Sequence, residues 1–124
     1  MRALAIAAGL LLAQGSVACG YCVEDKIAAA YDHAVVVRAM DARHKVAFLS
    51  LGGAPLGSQA RTLVRAVEGI AGVDRGTVRV SLEGGAASFA FDPSRNPVNT
   101  IVDSIQKKLA AKGAEVSLLR VVGD

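Results

Sequence analysis

Apolar residues recur along this chain at spacings that predict a definite order of elements. From Val23 to about Arg43 the composition is helical, and Ile27, Tyr31, Ala34, Val35 and Arg38 fall on one stripe. Glu24 and Asp25 stand in its first turn, where the positive end of a helix dipole favours acidic side chains. Lys45 to Leu51 is an apolar strand, followed by the loop Gly52-Gly53-Ala54-Pro55. Ser58 to Ala71 is an amphipathic helix with Leu63, Val64, Val67 and Ile70 inward. Thr77 to Glu83 alternates, placing Val78, Val80 and Leu82 on one face and Arg79 and Ser81 on the other. Gly84-Gly85 signals a hairpin, after which Ala87, Phe89 and Phe91 share a face of the strand Ala86–Asp92. A turn at Asp92–Pro97 leads into a helix to about Lys112, with Ile101, Ile105 and Leu109 inward and Gly113 as its stop. Glu115 to Val122 is the last strand.

The predicted order is a leading helix followed by β-α-β-β-α-β. Two β-α-β halves joined by a hairpin define an α+β class fold, a ferredoxin-like βαββαβ sandwich preceded by an extra N-terminal helix. Two helices cover one face of the sheet. The strand Lys45–Leu51 is apolar on both sides, so the other face needs cover from the leading helix or from a partner. Trp is absent and aromatic residues are 4% of the chain, so Val, Leu, Ile and Ala must build most of the core. Tyr31, Phe48, Phe89 and Phe91 are expected within it.

The N-terminus has the pattern of a targeting segment. Arg2 precedes an apolar run from Ala3 to Leu12, broken only by Gly9, and Ser16 and Ala18 suit a cleavage site before Cys19. A run of about ten residues is far short of the roughly 20 needed to span a bilayer. The expected organisation is a signal peptide at 1–18, the CxxC with its leading helix at 19–44, and the ferredoxin-like domain at 45–124. Export to the periplasm or to the exterior follows. The remaining chain of about 100 residues suffices for one small domain. Its basic residues are scattered, with only Lys107-Lys108 adjacent, and no basic stripe carries interleaved aromatics. A nucleic-acid surface is therefore not expected. No Ser-His-Asp set, phosphate loop or paired-carboxylate site stands out, so the reading is not that of an enzyme.

The chemistry concentrates at Cys19-Gly20-Tyr21-Cys22, which holds the only two cysteines among 124 residues. Two thiolates at this spacing can approach one ion, and soft sulfur favours Cu(I), Zn(II) or Hg(II). Backbone N–H groups at a helix start favour the thiolate form. Cleavage after Ala18 would place the α-amine of Cys19 beside its own sulfur. Two sulfurs leave positions open for a transfer partner, which suits a carrier better than a closed structural site. The same pair also fits thiol–disulfide exchange, with Cys19 attacking and Cys22 resolving. Ser16-Val17-Ala18-Cys19 partly matches a bacterial lipobox, and acylated Cys19 would anchor a lipoprotein to the membrane and end both other uses. A disulfide across so small a loop would contribute little to stability. His33 lies 11 residues past Cys22, about 16 Å along a continuous helix, too far to share an ion with it. His33 and His44 are expected as solvated surface residues.

Residues Val67-Glu68-Gly69-Ile70-Ala71-Gly72-Val73, the run from Val78 to Pro93 and Ile101-Val102-Asp103-Ser104-Ile105 resemble heavy-metal-associated domains. Copper chaperones, P-type metal ATPases and mercury-binding proteins carry such domains, and the resemblance covers about residues 46–122. It implies a ferredoxin-like fold that binds a soft metal and passes it to a partner protein. The family's two metal thiols would fall near Leu56 and Gln59, in the loop Gly53–Gln59. Gly53 matches the pattern, but both cysteines are missing there. No family ligand is carried over, and the metal residues expected in this chain are Cys19 and Cys22. The expected function is exported binding or relay of a soft metal, copper first. The alternatives are a non-metal interaction module on the same scaffold, lipid-anchored in one form, and thiol–disulfide exchange.

Overall fold

The computed structural model describes residues 23–53 and 60–123. Helix α1 covers residues 23–29, and α2 is His33–Asp41. Strand β1 is Lys45–Gly53, α3 is Ala60–Glu68, and β2 is Arg79–Ser81. Strand β3 is Ala86–Phe91, α4 is Val98–Ala110, and β4 is Ala114–Val122. The strands form one sheet in the order β2-β3-β1-β4. Central β1 pairs antiparallel with β3, from Lys45 opposite Phe91 to Ser50 opposite Ala86. On its other side β1 pairs antiparallel with β4, with a register shift between Phe48 and Leu49. This is the ferredoxin-like α+β topology expected from the pattern.

A period of two sends alternate side chains of β1 into two separate cores. Ala47, Leu49 and Leu51 meet Ala87, Phe89 and Phe91 of β3 beneath Leu63 and Val67 of α3 and Ile101, Ile105 and Leu109 of α4. Val46 and Phe48 face the other way and join Ala86 and Ala90 of β3. Ala30, Val35, Val36 and Ala39 cover that second core, with Ile27 packed against it. The leading segment therefore supplies the cover that the two-sided strand demanded. All six residues of β3 are buried as a result.

The leading helix is not continuous. It stops at residue 29 and restarts at His33, so the expected stripe through Tyr31 and Ala34 is out of phase after the break. Asp32 explains the restart: its backbone is extended, and its Oδ1 accepts a 3.0 Å hydrogen bond from the N–H of Ala34. A side-chain oxygen in that place satisfies a donor that the helix start leaves without a partner. Tyr31, expected in the core, is 49% exposed. Its ring stacks at 6.4 Å on Phe48 and so lids the second core from outside.

Strand β2 is shorter than the alternation predicted. The Thr77 hydroxyl donates to the Asp74 carbonyl at 2.7 Å and accepts from the Ala90 N–H at 3.0 Å. A side chain thus takes a bond that the strand backbone would otherwise make. Leu82, expected on one strand face with Val78 and Val80, lies instead in the hairpin turn and is 40% exposed. The helix expected from Ser58 begins within the described residues at Ala60, and positions 58 and 59 lie outside them.

Candidate functional site

Cys19 and Cys22 lie outside the described residues, as do the signal-like segment and positions Leu56 and Gln59. Val23, the next residue after Cys22, opens helix α1.

Helix α1 is pinned to the second face of the sheet along its length. Glu24 Oε2 accepts from Arg120 Nη2 of β4 at 2.8 Å. Lys26 Nζ donates to the Gly85 carbonyl at 2.9 Å. The Ala30 carbonyl just after the helix accepts from the buried Ser88 hydroxyl of β3 at 2.6 Å. Phe48 of β1 stands opposite both Arg120 and Ser88. The segment thus crosses from β4 over β1 to β3. Six residues of helix rise about 9 Å, close to the roughly 10 Å that separates a strand from its second neighbour. The hairpin beneath it requires its glycines. A Cβ on Gly84 would come within 2.6 Å of the Ala29 methyl, and Gly85 has φ +62°. The hydrogen bond and charge of Arg120 hold the Glu24 carboxyl below the usual carboxylate range, with desolvation opposing.

Gly53, the loop residue that matched the metal-domain pattern, has a different local reason to be glycine. It ends β1 with φ +82°, and a Cβ there would run into the Gly113 carbonyl oxygen. Close approach of β1 to the start of β4 accounts for it without any ligand.

The histidines part company. His33 is exposed, with its Nδ1 3.1 Å from the Tyr31 hydroxyl. His44 is not a solvated surface residue as expected: its side chain is 24% exposed and lies between two carboxylates. Its Nδ1 is 2.7 Å from Asp74 Oδ2, and its Nε2 is 3.6 Å from Asp92 Oδ2. Asp74 is 30 residues away in sequence, so no local pattern announces the pair. Asp92 is held below the usual carboxylate range chiefly by hydrogen bonds from the Ser94 hydroxyl and backbone N–H, opposed by desolvation, with the charges of His44 and Arg95 adding.

A cleft of about 190 Å³ opens beside His44, lined by Arg38, Asp74, Arg75 and Thr77 among others. A second, of about 220 Å³, lies along β1 and β4 and is lined by Ser50, Gly52, Gln106, Glu115 and Ser117 with Val116. Among the described residues no three His, Cys, Asp or Glu side chains form a group that could hold a metal ion. Also among them, no helix is long and apolar enough to cross a membrane.

No protein-family model matches the sequence, and no curated protein does. Among solved structures, oxidized MerP from Ralstonia metallidurans CH34 is similar, at 23% identity and a TM-score of 0.49. That similarity covers 60% of this chain and 96% of the MerP chain. The fold assignment rests on the strand order and helix placement described above. They define an α+β protein of ferredoxin-like topology whose second sheet face is roofed by two short helices.

Proposed function

We propose that this protein binds and relays a soft metal ion, copper(I) first among them, through Cys19 and Cys22 after export. The observation that carries the reading is the anchoring of the chain directly after Cys22. Contacts of Glu24, Lys26 and Ala30 hold that segment against a sheet whose two central strands, β1 and β3, are buried on both faces. A relay site needs a fixed base and an exposed ligand pair, so that a partner's ligands can enter the open positions. Two thiolates suit Cu(I) by softness. The metal is cargo, and the partner is a second protein that offers competing sulfur ligands. Cleavage after residue 18 and a periplasmic or secreted location belong to the same proposal.

Two measurements test it. The intact mass of the protein purified from its host shows whether Cys19 is free, oxidised or acylated. An acyl mass turns the protein into a lipid-anchored interaction module and ends the relay reading. With free thiols, Cu(I) titration against a competing chelator is expected to give one equivalent, lost in Cys22→Ser. Equal titration of wild type and Cys22→Ser removes the proposal.

A further inference from the structure

We propose that residues 23–42, which roof the second face of the sheet, exchange between two copies of this chain, so that the partner this face accepts is a second copy. The hinge is Ala42–Arg43. This inference does not rest on the cysteines.

The roof is a separable piece. It precedes β1 and joins it through one short turn, and the β-α-β-β-α-β body is complete without it. Its buried Ala30, Val35, Val36 and Ala39 share a core with Val46, Phe48, Ala86 and Ala90, and none of these belongs to the larger core on the other face. Departure of the roof therefore leaves the larger core intact and bares Phe48. Both roof helices are short, α2 being nine residues long, and helices of that length are marginal alone in water. A displaced roof needs an apolar sheet face, and the matching one belongs to another copy. There Glu24 meets Arg120, Lys26 the Gly85 carbonyl, the Ala30 carbonyl Ser88, and Asp32 Arg79, as they do within one copy.

The turn carries strain that favours exchange. Arg43 has φ +61°, and every other residue at positive φ among those described is glycine. The turn from α4 into β4 is the direct comparison. Gly113 stands there with φ +77° and donates its N–H to the Ala110 carbonyl at 3.0 Å, as Arg43 donates to the Met40 carbonyl at 3.0 Å. The left-handed conformation is unfavourable for a residue with a Cβ and open to glycine. Extension of residue 43 relieves that strain once in each copy. Short connections under strain invite exchange for this reason.

His44 fixes where the chain opens. Its Nδ1 lies 2.7 Å from Asp74 Oδ2 and its Nε2 3.6 Å from Asp92 Oδ2, so the start of β1 stays clasped to the body. Opening gives up the backbone bonds from Arg43 to Met40 and from His44 to Ala39. Val37 and Met40, 43% and 48% exposed, stand in the last turns of α2 beside the hinge. Where two exchanged copies cross, these side chains supply apolar surface that a single copy leaves in water. Every contact of the roof with its sheet is the same in both forms. The balance is therefore set at the hinge, against the freedom that two molecules lose on joining.

The test uses the full chain, processed by its host, carrying Cys19→Ser and Cys22→Ser so that no disulfide links two copies. The protein is unfolded in urea, refolded at millimolar concentration and separated by size. A dimer is expected beside the monomer. Arg43→Gly frees the turn of strain in both copies and should lower the dimerisation constant about tenfold or more. Arg43→Val puts a β-branched residue at positive φ and should raise it. A second measurement needs neither variant to fold: isotope-labelled and unlabelled wild type are refolded together, and the dimer is studied by NMR. The Tyr31 ring, stacked 6.4 Å from Phe48, and the methyls of Val35 and Val36 should then show nuclear Overhauser contacts to Phe48 of the other copy. A chain that stays monomeric after such refolding, a dimer with those contacts only inside each copy, or an Arg43→Gly dimer as tight as wild type would overturn the exchange. The cysteine reading stands or falls separately, because both thiols are gone.

Discussion

At the residue scale, single polar atoms bear more of this fold than their number suggests. Ser88 is one of the two buried polar residues among those described, and its hydroxyl meets the carbonyl of Ala30. Ser88→Ala leaves that carbonyl buried without a partner, and should lower stability by about 1–3 kcal/mol. Urea denaturation should show a lower midpoint at an unchanged slope. Gly53 supplies a second case. Gly53→Ala forces a Cβ against the Gly113 carbonyl at positive φ, and should cost about 1–3 kcal/mol, read by thermal unfolding. Alternation along Ala86–Asp92 made it legible that Ser88 faces away from Phe89. The partner, 58 residues earlier, was not legible.

At the element scale, the break between α1 and α2 organises the second face. Asp32 serves both sides of it, capping α2 through Ala34 and accepting from Arg79 Nε of β2 at 2.8 Å. The hydrogen bond from Arg79 holds the Asp32 carboxyl below the usual carboxylate range. Desolvation opposes this, and the backbone bonds from Ala34 and Val35 add to it. The folded state therefore binds that proton less readily than the unfolded chain. Its contribution is complete above the ordinary aspartate pKa of about 4 and is lost as pH falls through the lowered folded value. Asp32→Asn should be less stable at neutral pH and should show a flatter decline below about pH 4 in acid denaturation. An acid limb as steep as that of wild type would refute the assignment. An Asp flanked by Tyr31 and His33 is a helix-start signal in itself. The helical composition of the residues around it masked that signal.

At the scale of the whole molecule, the protein is a sheet with two cores rather than one. Phe48 lies at the centre of the second core, 1% exposed beneath the Tyr31 ring. Phe48→Ala should cost about 3–5 kcal/mol, measured by chemical denaturation, and should loosen α1 and α2 before the rest. Hydrogen exchange of the amides of α2 should then rise ahead of those of α4. Equal rates in the two helices would mean that the second core is not a separate cooperative layer.

Apolar periodicity decided the class of fold, the order of its elements and the need of β1 for cover on both faces, because a strand or helix declares its buried side within a few residues. Tertiary structure alone decided that the leading segment supplies the cover, that it breaks at Asp32, and that His44 meets Asp74 and Asp92. Those meetings join residues tens of positions apart, and only the strand order β2-β3-β1-β4 brings them within reach of one another.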